Sequence, residues 1–354
     1  MTHDAATEAL ASQLGFDLGV HGMMVVEDGP VGQATIGLRF PLTFRETANL
    51  SRTLYFTHFA IWLGKLRELA CQPTYDTLAA EFATGRWGMV TNSSETRIFG
   101  EVEADDVIFG RIWIDRLFGP HDSTQDLHYD WSKRLPEGGY ERIAWSKMRA
   151  TWVEILAHGV VEARPLPDYY EQFLRDNMVP ASDVHSEPLP ETVDEIDLGP
   201  AVFQAPPGPR PTVHLHEQIF ETALEDSNLV GNIYFGNYTL WSGRTRDHFF
   251  QQLAPAYYRG TGEQGELRCL YTKVEHLREA MPFDSIVVRM SLTALHERGV
   301  RLSFEFFRVG DDGDREKLAY GEHVAGWFVP GEPEWALSPL PDDFRQGLLE
   351  RAQP

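Results

Sequence analysis

The sequence predicts an α+β chain built as a tandem duplication, each copy a long central helix wrapped by antiparallel strands. Two observations predict it. The same order of strand-like and helical periodicity occurs twice along the chain, and one helical stretch repeats in register 179 positions later. At 354 residues the chain exceeds a usual single domain, so two domains are expected.

In the first copy, a strand-like run near Ala34–Phe44 precedes a helix over Thr57–Ala70. The apolar residues Phe59, Trp62, Leu63, Leu66 and Leu69 of that helix keep 3/4 spacing. Strand-like runs follow at Trp87–Thr91, Thr96–Val102, Val107–Leu117, Tyr140–Thr151 and Val153–Ala163. Prolines recur through 165–210 and periodicity fades there, apart from a short helical piece near Tyr170–Leu174. That composition suits a linker. The expected division is a first domain over 1–164, a proline-rich linker over 165–210 and a second domain over 211–354. After the linker a strand is expected near Thr212–Leu224 and a helix near Asn237–Leu253. Strands are then expected near Leu267–Leu277, Ser285–Leu295, Arg301–Arg308 and Lys317–Phe328. One long helix followed by a run of strands is α+β logic.

The repeat is the stronger signal. Glu46–Glu68 and Glu225–Asp247 align without gaps and share Glu46/Glu225, Asn49/Asn228, Leu50/Leu229, Tyr55/Tyr234, Phe56/Phe235, Trp62/Trp241, Gly64/Gly243 and Arg67/Arg246. Unrelated helices share apolar spacing, not a Tyr-Phe, a Trp and a Gly in register. Downstream, Phe99, Glu101, Asp106 and Ile108 match Leu277, Glu279, Asp284 and Ile286 at an offset of 178. The polar stretch Gly119–Gly139 has no obvious match, and an exposed insertion or a loop over the site is expected there.

Composition limits the function classes. The net charge of −22 disfavours phosphate-backbone binding, so no nucleic-acid partner is expected. No long apolar run exists to span a membrane, and the N-terminus lacks a basic region before an apolar one. A cytoplasmic location is therefore expected. Cys71 and Cys269 cannot form a disulfide framework and are expected as buried thiols. No HExxH, CxxC or GxGxxG element stands in a supporting context, and His214, His216 and His276 lack ligand spacing. Neither metal nor cofactor is expected.

A strand, a central helix and then wrapping strands is the hot-dog order. The run Asn228-Leu-Val-Gly-Asn-Ile-Tyr-Phe-Gly-Asn-Tyr238, followed by Trp241-Ser-Gly-Arg-Thr-Arg246, resembles the signature of the enediyne-polyketide thioesterases of the hot-dog superfamily. The resemblance implies a double hot-dog, an acyl-CoA or acyl carrier protein substrate, and working residues at Asn228, Tyr238 and Arg246. Common hot-dog hydrolases carry an Asp where Asn228 stands, and Asn cannot take a proton. The first copy keeps Asn49 and Arg67, with His58 at its helix start. It has Phe59 where Tyr238 stands, so a second, degenerate site is expected there.

These residue types suit attack on a thioester carbonyl, which builds charge on oxygen. A preorganised donor is worth about 3–4 kcal/mol. Asn228 offers amide donors, Tyr238 a hydroxyl, and the helix start near Gly236–Tyr238 free backbone N–H groups. Arg246 lies eight residues beyond Tyr238, roughly on the same helix face, and is permanently charged. Structural roles stand beside these. Asn228 can bond its own backbone, Tyr238 can be core, and Arg246 can pair with Asp247 or Glu225. The leading expectation is a thioesterase on acyl or β-ketoacyl thioesters in polyketide or fatty-acid-like biosynthesis. A dehydratase, isomerase, acyltransferase or cyclase on the same scaffold is the alternative, and a non-catalytic acyl-binding module the third. An acidic carrier would need a basic patch, such as Arg244, Arg246, Arg259 and Arg268, or Lys65, Arg67 and Arg97. Two fused copies can pair within one chain, as a monomer holding an internal pseudo-dimer or as part of a homo-oligomer.

Overall fold

The computed structural model describes residues 25–26, 36–71, 74–157, 159–176, 178, 196–205, 213–259, 262–310, 312–331 and 335–352. The first half contains β1 (Val25–Val26), β2 (Ile36–Pro41), α1 (Thr57–Ala70) and α2 (Tyr75–Phe82). It continues with β3 (Trp87–Ile98), β4 (Val107–Phe118), β5 (Thr124–Arg134), β6 (Tyr140–Ala157), β7 (Val160–Ala163) and α3 (Asp168–Asp176). The second half contains β8 (Ala201–Gln204), β9 (Val213–Glu221), α4 (Gly236–Leu253), β10 (Glu266–His276) and β11 (Ser285–His296). It ends with β12 (Gly299–Val309), β13 (Arg315–Val329), β14 (Ala336–Leu337) and α5 (Asp342–Ala352).

Among the described residues these strands form one sheet, ordered β1-β2-β4-β5-β6-β3-β10-β13-β12-β11, with β8 and β9 both on β11. The order reads the same from either end toward the middle. β3 and β10 are the equivalent strands that join, antiparallel, with Glu95 opposite Lys273. Those two residues are themselves equivalent at the offset of 178, so the pseudo-twofold axis of the duplication passes between them.

Each helix lies on its own half-sheet. On α1, Phe59, Trp62, Leu63 and Leu66 pack against Ile108, Ile112, Tyr129 and Trp131. On α4, Tyr238, Trp241, Phe249 and Phe250 pack against Val288, Met290, Phe304 and Phe306. Some packing crosses over, for Phe235 of the second half belongs to the first core. Gly64 and Gly243 each let the opposite half's tyrosine approach their helix. A Cβ on Gly64 would collide with the Tyr234 hydroxyl, and one on Gly243 would stand 2.9 Å from the Tyr55 hydroxyl.

Several elements depart from the sequence reading, α5 among them. The stretch Gly119–Gly139 is not an insertion: it holds β5, a strand between β4 and β6. Its polar residues mask the alternation of a strand. Leu127, Tyr129 and Trp131 face the helix, while Asp126 is buried on the other face against Arg116 and Arg149. Helix α2 was not expected, although Tyr75, Leu78, Ala79 and Phe82 keep helical spacing. The ends of 165–210 also belong to the two halves. Tyr170 and Leu174 of α3 are buried in the first core, and β8 pairs with β11. Of the residues between, 179–195 and 206–210 lie outside the described residues.

Candidate functional site

The asparagine loops precede the helices and keep one geometry in both halves. Gly231 takes φ 94° in one loop, and its counterpart Arg52 takes φ 65° in the other. That conformation costs a non-glycine residue about 1–2 kcal/mol. The pseudo-twofold axis carries each loop toward the other half's helix. The structure thereby regroups the residues singled out in sequence: Asn228 faces Arg67, not Arg246.

Three cavities show what this regrouping does. The largest, about 350 Å³, lies beneath α2 and is lined by Arg67, Glu68, Cys71, Tyr75, Leu78, Ala79, Phe82, Met89 and Tyr170 from the first half. Ser227, Asn228, Leu229, Val230 and Tyr234 come from the second. A second cavity, about 160 Å³, is more polar, with Thr91, Asn92, Asn232, Arg278 and Glu279 on its walls beside Tyr238 and His276. The two share Arg67, Met89 and Asn228. The third, about 40 Å³, lies at Asn49 with Thr53, Phe56, Glu101, Arg268 and Cys269. Ligand sites run to roughly 300–1,000 Å³, so the third is too small for a substrate.

The two arginines occupy equivalent places in opposite states. Arg246 is bound on every side. Its Nε and Nη2 donate to Asp247 Oδ1 at 2.9 and 2.7 Å, Nη1 meets His323 Nε2 at 3.2 Å, and Nη2 reaches Tyr55 Oη at 3.4 Å. Tyr55 in turn donates to Asp247 Oδ2 at 2.5 Å, and Phe56 lies under the guanidinium. Arg246 lines none of the three cavities. Arg67 has weaker partners. Nη1 lies 3.4 Å from Thr91 Oγ1 and 3.3 Å from Met148 Sδ, and Nη2 lies 3.8 Å from Glu68. Burial opposes its charge, but Tyr129, Tyr234 and Glu68 outweigh that and keep it cationic. Met148 and His323 are equivalent by strand register, opposite Ser94 and Thr272, so a thioether replaces an imidazole beside the open arginine.

The asparagines differ in the same sense. Asn49 Nδ2 is used within its own loop, donating to Thr53 Oγ1 at 2.9 Å and to the Leu54 carbonyl at 3.0 Å. Asn228 Oδ1 accepts from the Val230 N–H at 2.8 Å, while its Nδ2 meets no acceptor among the described residues. The turn thus holds Asn228 with its donor edge available. Tyr238 is buried in the second core, edge-on to His276 at 4.6 Å between ring centroids. Burial raises its hydroxyl pKa and drops that of His276 to about 4. His58 lines none of the three cavities and tilts against Trp62 at 6.3 Å.

Cys71 explains why one chamber is open. Its counterpart three residues past Asp247 is Phe250, which stacks on Phe344 of α5 at 5.6 Å. The smaller Cys71 meets Tyr170 of α3 instead, at 3.8 Å. This difference lies three residues past the gapless repeat that ends at Glu68 and Asp247. Among the described residues no group of three or more His, Cys, Asp or Glu is placed to hold a metal, and no helix is long and apolar enough to cross a membrane.

Two helix-on-sheet units joined through equivalent edge strands, with a cleft between helix and opposite loop, define a double hot-dog. No family model and no curated protein matches the chain, whereas solved structures do. The 12:0-ACP thioesterase from Umbellularia californica is 9% identical, with a TM-score of 0.57 over 83% of this chain and 94% of that one. An acyl-ACP thioesterase from Bacteroides thetaiotaomicron is 10% identical, with a TM-score of 0.50 over 82% and 96%. The dynemicin thioesterase is 26% identical over 39% of this chain and 96% of that one, with a TM-score of 0.36. The two longer matches show the fold along most of the chain.

Proposed function

We propose that this chain is a thioester hydrolase working at one composite site, with the thioester carbonyl between Arg67 and Asn228. The observation that carries this reading is the junction. An apolar chamber suited to an acyl chain and a polar cavity suited to a carrier arm meet at the two residues with donors to spare. Water adds to the carbonyl carbon, and the C=O electron pair moves to oxygen. The Asn228 amide and the Arg67 guanidinium hold the resulting charge, as preorganised donors do. Among the described residues lining the chamber, Glu68 carries the carboxylate that can take the water proton. Collapse expels the thiolate, which is protonated to free thiol, and leaves the carboxylic acid.

The substrates are acyl or β-ketoacyl thioesters of CoA or acyl carrier protein, in polyketide or fatty-acid-like biosynthesis in the cytoplasm. The resemblance of Asn228–Arg246 to the enediyne-type signature and the acyl-ACP thioesterases among the fold neighbours support this class. The test is thiol release from a panel of acyl- and β-ketoacyl-CoA and carrier thioesters, followed by mass spectrometry. Free acid and thiol are expected. Loss of water with the thioester intact would assign a dehydratase, and no conversion of any member would overturn the hydrolase reading.

A further inference from the structure

We propose that the acyl chamber contains a polar subsite, centred on the Tyr170 hydroxyl, that binds an oxygen substituent of the acyl chain beyond the thioester carbonyl. The placement of the chain rests on the hydrolase reading, whereas the subsite rests on the difference between the two halves. Gln125 pairs with Leu117 on β4 as Val300 pairs with Leu295 on β11, so the two are equivalent. Tyr170 and Leu174 are the buried residues of α3, as Phe344 and Leu348 are of α5. Where the chamber is open, the three positions hold Cys71, Gln125 and Tyr170. Where it is closed, they hold Phe250, Val300 and Phe344.

A pocket for hydrocarbon alone gains nothing from buried polar atoms, which cost free energy unless they are paired. These are poorly paired. Gln125 Nε2 donates to Met89 Sδ at 2.8 Å and to Tyr170 Oη at 3.4 Å, and the second contact turns the hydroxyl hydrogen elsewhere. The acceptors near it are sulfurs, Cys71 Sγ at 3.8 Å and Met89 Sδ at 4.0 Å, and thioether and thiol sulfurs accept weakly. Gln125 Oε1 is buried and meets no donor among the described residues. Burial, the largest influence on the Tyr170 hydroxyl, raises its pKa and keeps its proton in place. A fixed O–H donor without a good acceptor therefore lines a cavity of about 350 Å³. Its complement is a ketone or hydroxyl oxygen on the chain. A site built to bond such a group discriminates strongly against the analogue lacking it.

The test uses the full chain and decanoyl-CoA beside a series of decanoyl-CoA thioesters carrying one ketone or hydroxyl at successive carbons. For at least one position, kcat/KM is expected to exceed that of the plain chain about tenfold or more. Tyr170→Phe is expected to bring that ratio to within about threefold of one. Gln125→Val is expected to lower the ratio in the same direction, which covers the case of a Tyr170→Phe protein that fails to fold. Ratios near one at every position, or a ratio that survives both substitutions, overturn the subsite. Calorimetry with the matching oxo-, hydroxy- and plain decanoic acids separates the two ideas. Oxygen-dependent binding that Tyr170→Phe abolishes, without thioester cleavage, keeps the subsite and removes the hydrolase. Cleavage without discrimination does the reverse.

Discussion

Tyr234 crosses from the second half to lie on Gly64 of α1, its hydroxyl standing where a Cβ would be. The contact holds the Asn228 loop against the helix that carries Arg67. Gly64→Ala should therefore destabilise the chain by about 1–3 kcal/mol, despite the better helix propensity of Ala. Tyr234→Phe should relieve part of that loss, because it removes the nearest atom. Denaturant midpoints of the two single variants and the double variant measure this. Additive effects would show that the two residues do not share the contact.

The two arginines should separate activity from stability. Arg67→Ala should lower kcat/KM about 10²–10³-fold with little change in denaturation midpoint, since its protein partners are weak. Arg246→Ala should cost about 3 kcal/mol of stability, because it strands Asp247 and Tyr55. Matched turnover and urea titrations on both variants check this, and equal activity losses would show two working sites.

Met148 is the switch point beside Arg67. Met148→His should supply the acceptor that His323 gives Arg246 and draw Arg67 from the junction. Turnover should fall at least tenfold with the fold retained, read by kcat/KM alongside circular dichroism. Unchanged turnover would show that the sulfur's weakness as a partner is irrelevant.

Cys71→Phe should convert the open chamber to the closed pattern of Phe250. Activity on long acyl thioesters should fall at least tenfold, and short acyl substrates should suffer less. A chain-length series for wild type and variant is the check.

Buried histidines should make the protein acid-sensitive. Burial drops His276 to about 4, and burial with Arg246 nearby lowers His323 well below its ordinary range. Each is neutral when folded but takes a proton when unfolded below about pH 6.5. Their stabilising contribution is complete above that pH and is lost as pH falls toward the folded value. For His276 the loss is of order 3 kcal/mol by pH 4. The stability difference between pH 7 and 4.5 should shrink in His276→Gln, measured by denaturant titration at both values.

Much of this fold was legible because duplication writes the pattern twice. The Tyr-Phe, Trp and Gly positions in register fixed α1 and α4 closely. β5 was hidden because Asp126, His128 and Asp130 read as exposed, although Arg116, Arg149 and Arg142 cover the two carboxylates. The make-up of the site was hidden for a different reason. Spacing along a helix places Tyr238 and Arg246 together, but it carries no information about which loop arrives from the other side of a symmetry axis. The ion pair between Arg246 and Asp247 stood among the readings of the sequence. Its weakness around Arg67, where Glu68 stands 3.8 Å away and Met148 replaces a histidine, is set by the fold and not by the spacing.

The seam between β3 and β10 has a further meaning. In an assembly of two separate identical chains, a residue on the axis must face its own copy, so a glutamate there would oppose a glutamate. Here Glu95 faces Lys273, and Tyr271 donates to Glu95 at 2.7 Å. The pairing of Glu95 with Lys273 is not open to a homodimer. A covalent link also makes the encounter of the halves independent of protein concentration. Gene fusion thus released two obligations at once: the halves no longer need to find each other, and they no longer need to agree. Each was free to diverge from the other.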